Sequence, residues 1–129
     1  MHVKIAEPFF DRAILQRALQ EINNGSGAKQ SEIIARHGDV WQWDVSSISD
    51  MRALFNLIGL ETFNQPIGRW NVAAVTDMSH MFRGARFFNQ PIDQWNAAAV
   101  TDMTSMFGGA HAFNPVSYTH LTLPTICSV

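Results

Sequence analysis

The chain has 129 residues, 47% of them hydrophobic and 16% charged, with a formal charge of -2 from nine Lys and Arg against eleven Asp and Glu. No basic run is present, which disfavours a nucleic-acid partner, and no apolar run is long enough to span a bilayer. The N-terminus, MHVKIAEPFFDRA, has no apolar segment followed by a small-residue cleavage site, so no signal peptide is visible.

In chain order, the first predicted element is an amphipathic helix over Glu7–Asn23, with Pro8 in its first turn and Phe10, Ile14, Leu15, Ala18, Leu19 and Ile22 as its apolar stripe. The run NNGSG ends it. A shorter helix follows, from Ala28 or Ser31 to His37, with Ile33 and Ile34 as an apolar pair and Gly38 as its stop. Residues 1–38 together are expected to form a helical cap over the first coil of a repeat array, whose end is otherwise an open apolar edge.

From Phe63 the chain repeats itself. FNQPIGRWNVAAVTDMSHMFRGARF is followed at Phe88 by FNQPIDQWNAAAVTDMTSMFGGAHA, and FN recurs at Phe113. The period is 25 residues, read from Trp70 to Trp95, Met78 to Met103 and Phe82 to Phe107. A degenerate copy precedes them, because WDVSSISDMRALF from Trp43 aligns without gaps with WNVAAVTDMSHMF from Trp70, and it carries a two-residue insertion around Leu57 and Ile58. Such a period marks stacked supersecondary units. Coils near residues 41–62, 63–87 and 88–114 are expected within a repeat region over residues 39–115.

Within each copy, Thr76-Asp77 and Thr101-Asp102 precede Met, Met and Phe at helical spacing, predicting a short helical turn with Thr as N-cap and Gly84 or Gly109 as its exit. Phe63–Ile67 and Phe88–Ile92 read as short strands that end at Pro66 and Pro91. The expected fold is therefore α/β: a right-handed, leucine-rich-repeat-like solenoid of about three coils with an α-helical N-terminal cap, its recurring Phe, Met, Ile, Trp and Val side chains pointing inward.

After Asn114 the repeat calls for Gln-Pro-Ile but gives Pro115 and then VSYTHLTLPTICSV, a segment without Asp, Glu, Lys or Arg that holds the chain's only Cys and only Tyr. VSYTHLTLPT resembles the translation of a transposase-type sequencing adapter, so Val116–Val129 is read as a non-native tail and Cys127 is given no functional weight.

The elements FNQPI, WN, AVTDM and MF.GA, recurring in order and in register from Gly38 to Asn114, resemble the repeat of the BspA-like leucine-rich repeat surface proteins. Ala73-Ala74 and Ala97–Ala99 stand where that family commonly has Ser and Asn. The resemblance implies a solenoid, a cell-surface or secreted context, and adhesion or partner binding. It carries over no catalytic residue.

Candidate chemistry is sparse. Asp50, Asp77 and Asp102 recur once per coil, but a calcium site wants convergent oxygens and a Gly-rich loop, so these residues are read as helix-start partners and no metal or cofactor is expected. Asn64-Gln65 and Asn89-Gln90 are read as amide pairs along the stack. The histidines His37, His80 and His111 form no i, i+4 pair and the serines lie in no nucleophile elbow, so no enzyme is expected. Of the four Trp, three recur at matching positions and read as core, whereas Trp41 has no match. Candidate partner contacts are Trp41, Arg69, Arg83, Arg86, Asp93 and Gln94. The expected function is a non-catalytic binding module of a surface protein, the alternative a structural spacer in a longer surface protein, and an enzyme a distant third.

Overall fold

The computed structural model describes residues 6–113. The tail reading at Val116–Val129, together with Asn114 and Pro115, lies outside them.

Helix α1 spans Arg12–Asn24 and α2 spans Gly27–His37, with a 3-10 turn at Val40–Gln42. α1 starts five residues later than the expected Glu7 because Asp11 is its N-cap, with Oδ1 accepting from the amides of Ala13 at 2.7 Å and Ile14 at 3.3 Å. The described residues ahead of it are not helical. Their amides bond elsewhere, Glu7 N–H donating to Arg36 O and Phe9 N–H to Asp44 O, both at 2.9 Å. This reverses one expectation about the core: Phe10 is 73% exposed, while Phe9 is buried, stacked on His37 at 4.0 Å and packed on Trp43 at 5.0 Å. Ile14 is also exposed, and Leu15, Ala18, Leu19 and Ile22 carry the buried stripe. Ser26 caps α2, Gly38 ends it at φ 83, and of the Ile33–Ile34 pair Ile33 is the buried one.

Beyond Gln42 the expected α/β solenoid, with a strand and a helical turn in every coil, is not what the chain forms. Among the described residues helix is confined to the elements above and no strand is present; the only bridges are isolated parallel ones, Asp50 with Asp77 and Asp77 with Asp102. The leucine-rich-repeat solenoid is thereby corrected to a stack of turns. The physical reasons are local. Pro66 and Pro91 have no N–H to give a ladder, and at Asn64 the side chain replaces the backbone acceptor, its Oδ1 taking the Asn89 amide at 2.8 Å. The helical turns fail because Ala53, His80 and Ser105 adopt φ of 54, 57 and 53, outside the right-handed helical region. Thr76 is no N-cap; its hydroxyl donates to Ser49 O at 3.2 Å, and Thr101 does likewise to Thr76 O at 3.3 Å.

The copies nonetheless sit in register, held by backbone bonds between equivalent turns. Met51, Ala53 and Phe55 donate to the carbonyls of Asp77, Ser79 and Met81, and Met78, His80 and Phe82 donate to those of Asp102, Thr104 and Met106, all at 2.9 Å. In this strip the carbonyls of Asp77, Ser79 and Met81 face the first layer and the amides of Met78, His80 and Phe82 face the third, whereas Thr76 N–H donates back to Ser49 O. The first layer's own carbonyls turn toward α1, which meets them with donors at one-turn spacing: Arg12 Nη1 to Arg52 O at 2.7 Å, Gln16 Nε2 to Ala53 O at 3.1 Å and Leu54 O at 3.0 Å, and Gln20 Nε2 to Ile58 O at 3.3 Å. The insertion bulges out beside them, with Ile58 88% exposed and Gly59 O held by the side-chain amides of Asn23 and Asn24.

Aromatic rings fill the interior as two parallel columns. Phe55, Phe82 and Phe107 stack at 5.1 and 5.7 Å with interplanar angles of 5° and 2°, and Phe63, Phe88 and Phe113 stack alongside at 6.4 and 6.0 Å. The columns touch, Phe82 lying 4.6 Å from Phe88. The recurring methionines Met78, Met81, Met103 and Met106 are fully buried around them.

Candidate functional site

Each Trp of the repeat is buried but directs its indole N–H to the preceding layer: Trp43 Nε1 to Gly38 O at 2.9 Å, Trp70 Nε1 to Val40 O at 2.8 Å and Trp95 Nε1 to Ile67 O at 2.9 Å. This bond satisfies the one polar atom of a core ring, and for Trp70 and Trp95 it holds the carbonyl three residues ahead of the previous layer's Trp, at Val40 and Ile67. The two positions that follow are the ones that vary: Trp41, Gly68 and Asp93 occupy equivalent places, followed by Gln42, Arg69 and Gln94.

A groove of about 860 Å³ opens there. The middle glycine lines it, together with Trp41 of the layer before and Asp93 of the layer after. The backbone approach is close: a Cβ on Gly68 would lie 2.6 Å from Pro91 O. Pro66 and Pro91, both exposed, form an apolar wall, and Asn71 and Asn96 line the far side.

Trp41 is 41% exposed, and the Arg69 guanidinium lies over its ring, 5.4 Å from the centroid. Gln94 Nε2 donates to Asp93 Oδ2 at 3.2 Å. Asn71 and Asn96 each use Oδ1 to accept an amide two residues on, from Ala73 and Ala98, both at 3.1 Å, so the Nδ2 of each is left to donate. The groove thus gathers four of the six candidate contacts, Trp41, Arg69, Asp93 and Gln94. Arg83 and Arg86 are exposed but lie elsewhere, Arg83 against Gly108 and Arg86 with its carbonyl bonded to the Ala112 amide. Sequence reasoning missed Gly68, Asn71 and Asn96; aligning the three copies column by column sets Gly68 between Trp41 and Asp93.

The recurring aspartates have a structural task. Asp50, Asp77 and Asp102 accept through Oδ1 from the amides of Arg52, Ser79 and Thr104 at 2.9, 2.8 and 3.0 Å, closing a turn in each layer. Asp44 does the same for Ser46 one turn earlier, at 3.0 Å. The Ser46 hydroxyl, then its amide, hold the Asp44 carboxyl below its usual range, and the Thr104 amide, then its hydroxyl, do so for Asp102. Because folding favours the ionised form of both, their contribution is complete above the ordinary value of about 3.9 and is lost as pH falls through the lowered folded values. Position 44 is Asn in the other two copies, where the amide oxygen makes the equivalent bond. Asp44→Asn is therefore expected to keep the turn and remove one titration. Urea unfolding at about pH 6 and about pH 3 should show a smaller loss of stability in the variant than in the parent; an equal loss would remove Asp44 from the acid response.

Comparison with known proteins identifies the kind of chain that carries this stack and groove. The family described as Mycoplasma protein of unknown function, DUF285, matches residues 26–121. The chain belongs to that family, the matched segment covering α2 and all three repeat copies. No curated protein matches it, and no solved structure does.

Proposed function

We propose that the chain is a non-catalytic binding module of a surface protein, displayed at the cell surface or secreted, that holds a protein or cell-surface macromolecule in the Gly68 groove. The observation that carries this reading is the contrast between the layers' uniformly apolar interior and the varied positions around Gly68, where a hydrophobic face and planar polar side chains meet in one open cleft. The repeat's resemblance to BspA-like surface proteins supports the context. No His, Cys, Ser or Thr is among the described residues that line the groove, so it offers no nucleophile with a base beside it.

The test is adhesion of beads coated with the chain to cultured animal cells, compared with beads carrying Trp41→Ala combined with Arg69→Ala and Gln94→Ala. Parent beads are expected to adhere several-fold above albumin-coated beads and the triple variant to fall to the albumin level. Equal adhesion of parent and variant would refute a role for the groove and leave the spacer as the better account.

A further inference from the structure

The groove's chemistry points to one class of occupant. We infer that it binds a neutral oligosaccharide, stacked on Trp41 and hydrogen-bonded by Asn71, Asn96 and Asp93; this rests on the reading of the chain as a binding module.

Trp41 is the only one of the four Trp with substantial exposure, the others being 2–3% exposed. Arg69 covers part of the indole and fixes its orientation, so a flat face is held ready without the entropy cost of ordering it. Gly68 and Asp93 line the groove beside that ring. A pyranose ring has the shape for this space, with an apolar C–H face for the indole and a rim of hydroxyls, each able to donate and accept.

The rim finds matching partners. Asn71 and Asn96 stand one layer apart, and stacked backbones repeat at about 4.8 Å, so their Nδ2 groups form a short row of donors whose orientation is set by the Oδ1 bonds to Ala73 and Ala98. Asp93 supplies an acceptor beyond the gap, steadied by Gln94. One cation and one anion border the groove, Arg69 and Asp93, so no excess field selects a charged chain. A polyproline segment is disfavoured because such ligands dock between several exposed aromatic ridges, and Trp70, the second ring at this groove, is 3% exposed.

The experiment is a titration of the full chain, followed by calorimetry and by Trp fluorescence, which reports Trp41 because the other indoles are buried. The probes are neutral hexasaccharides of β-linked glucose, N-acetylglucosamine, mannose and galactose at up to millimolar concentration, with a sulfated hexasaccharide and a proline decamer as contrasts. At least one neutral sugar is expected to bind, with affinity lowered about tenfold or more by Trp41→Ala, lowered also by Asp93→Ala, and unchanged by Arg83→Ala. Circular dichroism establishes that each variant stays folded; should Trp41→Ala unfold, Asp93→Ala carries the test. Binding of none of the neutral sugars, binding of only the sulfated sugar or the proline peptide, or binding indifferent to both groove variants would overturn the inference. Groove-dependent bead adhesion with no sugar binding would sink the saccharide alone, whereas loss of both would sink the binding reading with it.

Discussion

Phe82→Ala is expected to lower the unfolding free energy by about 3–5 kcal/mol, a large part of what a domain of this size has. Phe82 is fully buried and sits where the two aromatic columns meet, against Phe55 at 5.1 Å, Phe107 at 5.7 Å, Phe88 at 4.6 Å and Trp95 at 6.1 Å. Cavities cost most where the surroundings cannot collapse. Here the layers above and below are pinned by the bonds of Phe55 N–H to Met81 O and Phe82 N–H to Met106 O, so neighbouring rings cannot slide inward without breaking the backbone ladder. Urea unfolding followed by Trp fluorescence measures the loss. A change under about 1 kcal/mol would mean that the rings repack and that the ladder does not set the layer spacing.

Gly68→Ala is expected to cost about 1–3 kcal/mol, at a position that lines the groove. Its Cβ would meet Pro91 O at 2.6 Å, and that atom belongs to the backbone of the next layer, not to a side chain that can swing away. Relief requires the second and third layers to separate, beside the bond from Trp95 Nε1 to Ile67 O. Gly27→Ala is the contrast, since nothing lies within 4 Å of its added Cβ at the start of α2, and Ala gains up to about 1 kcal/mol over Gly in a helix. Opposite signs for the two variants are the expected result. A neutral Gly68→Ala would show that the layers have slack where the groove lies.

The interior was legible because burial follows the period: a residue that must pack against its own copy is repeated, and Trp70, Met78, Phe82 and their partners one copy later are all buried. The backbone between the layers was not. Thr-Asp-Met followed by Met-Phe has the spacing of a helical turn, yet Asp77 spends its oxygen on the Ser79 amide and His80 turns to positive φ, an outcome fixed by the neighbouring layers more than by local preference. The strand reading of Phe63–Ile67 failed for a related reason, since alternation of apolar residues describes which side chains are buried and leaves open whether Asn64 bonds through its backbone or its side chain. At the N-terminus, a stripe drawn from Glu7 chose Phe10 over Phe9 because it took the chain as helical before Asp11. For the site, Trp41, Arg69, Asp93 and Gln94 stood out as residues that the core does not explain. That they share one space depends on how the layers stack, which composition and motif do not register.

The shared direction of three alternate peptide groups in the middle layer has an electrostatic consequence. With carbonyls of residues 77, 79 and 81 facing back and amides of 78, 80 and 82 facing forward, the dipoles of these peptide units point along the stacking axis and add, as they do in an α-helix. The end at α1 is then the negative pole, and there Arg12 brings a full positive charge to Arg52 O while also lying 3.7 Å from Asp50. This strip of the stack therefore has a head and a tail that differ in charge, and a cap suited to one pole is electrically mismatched to the other.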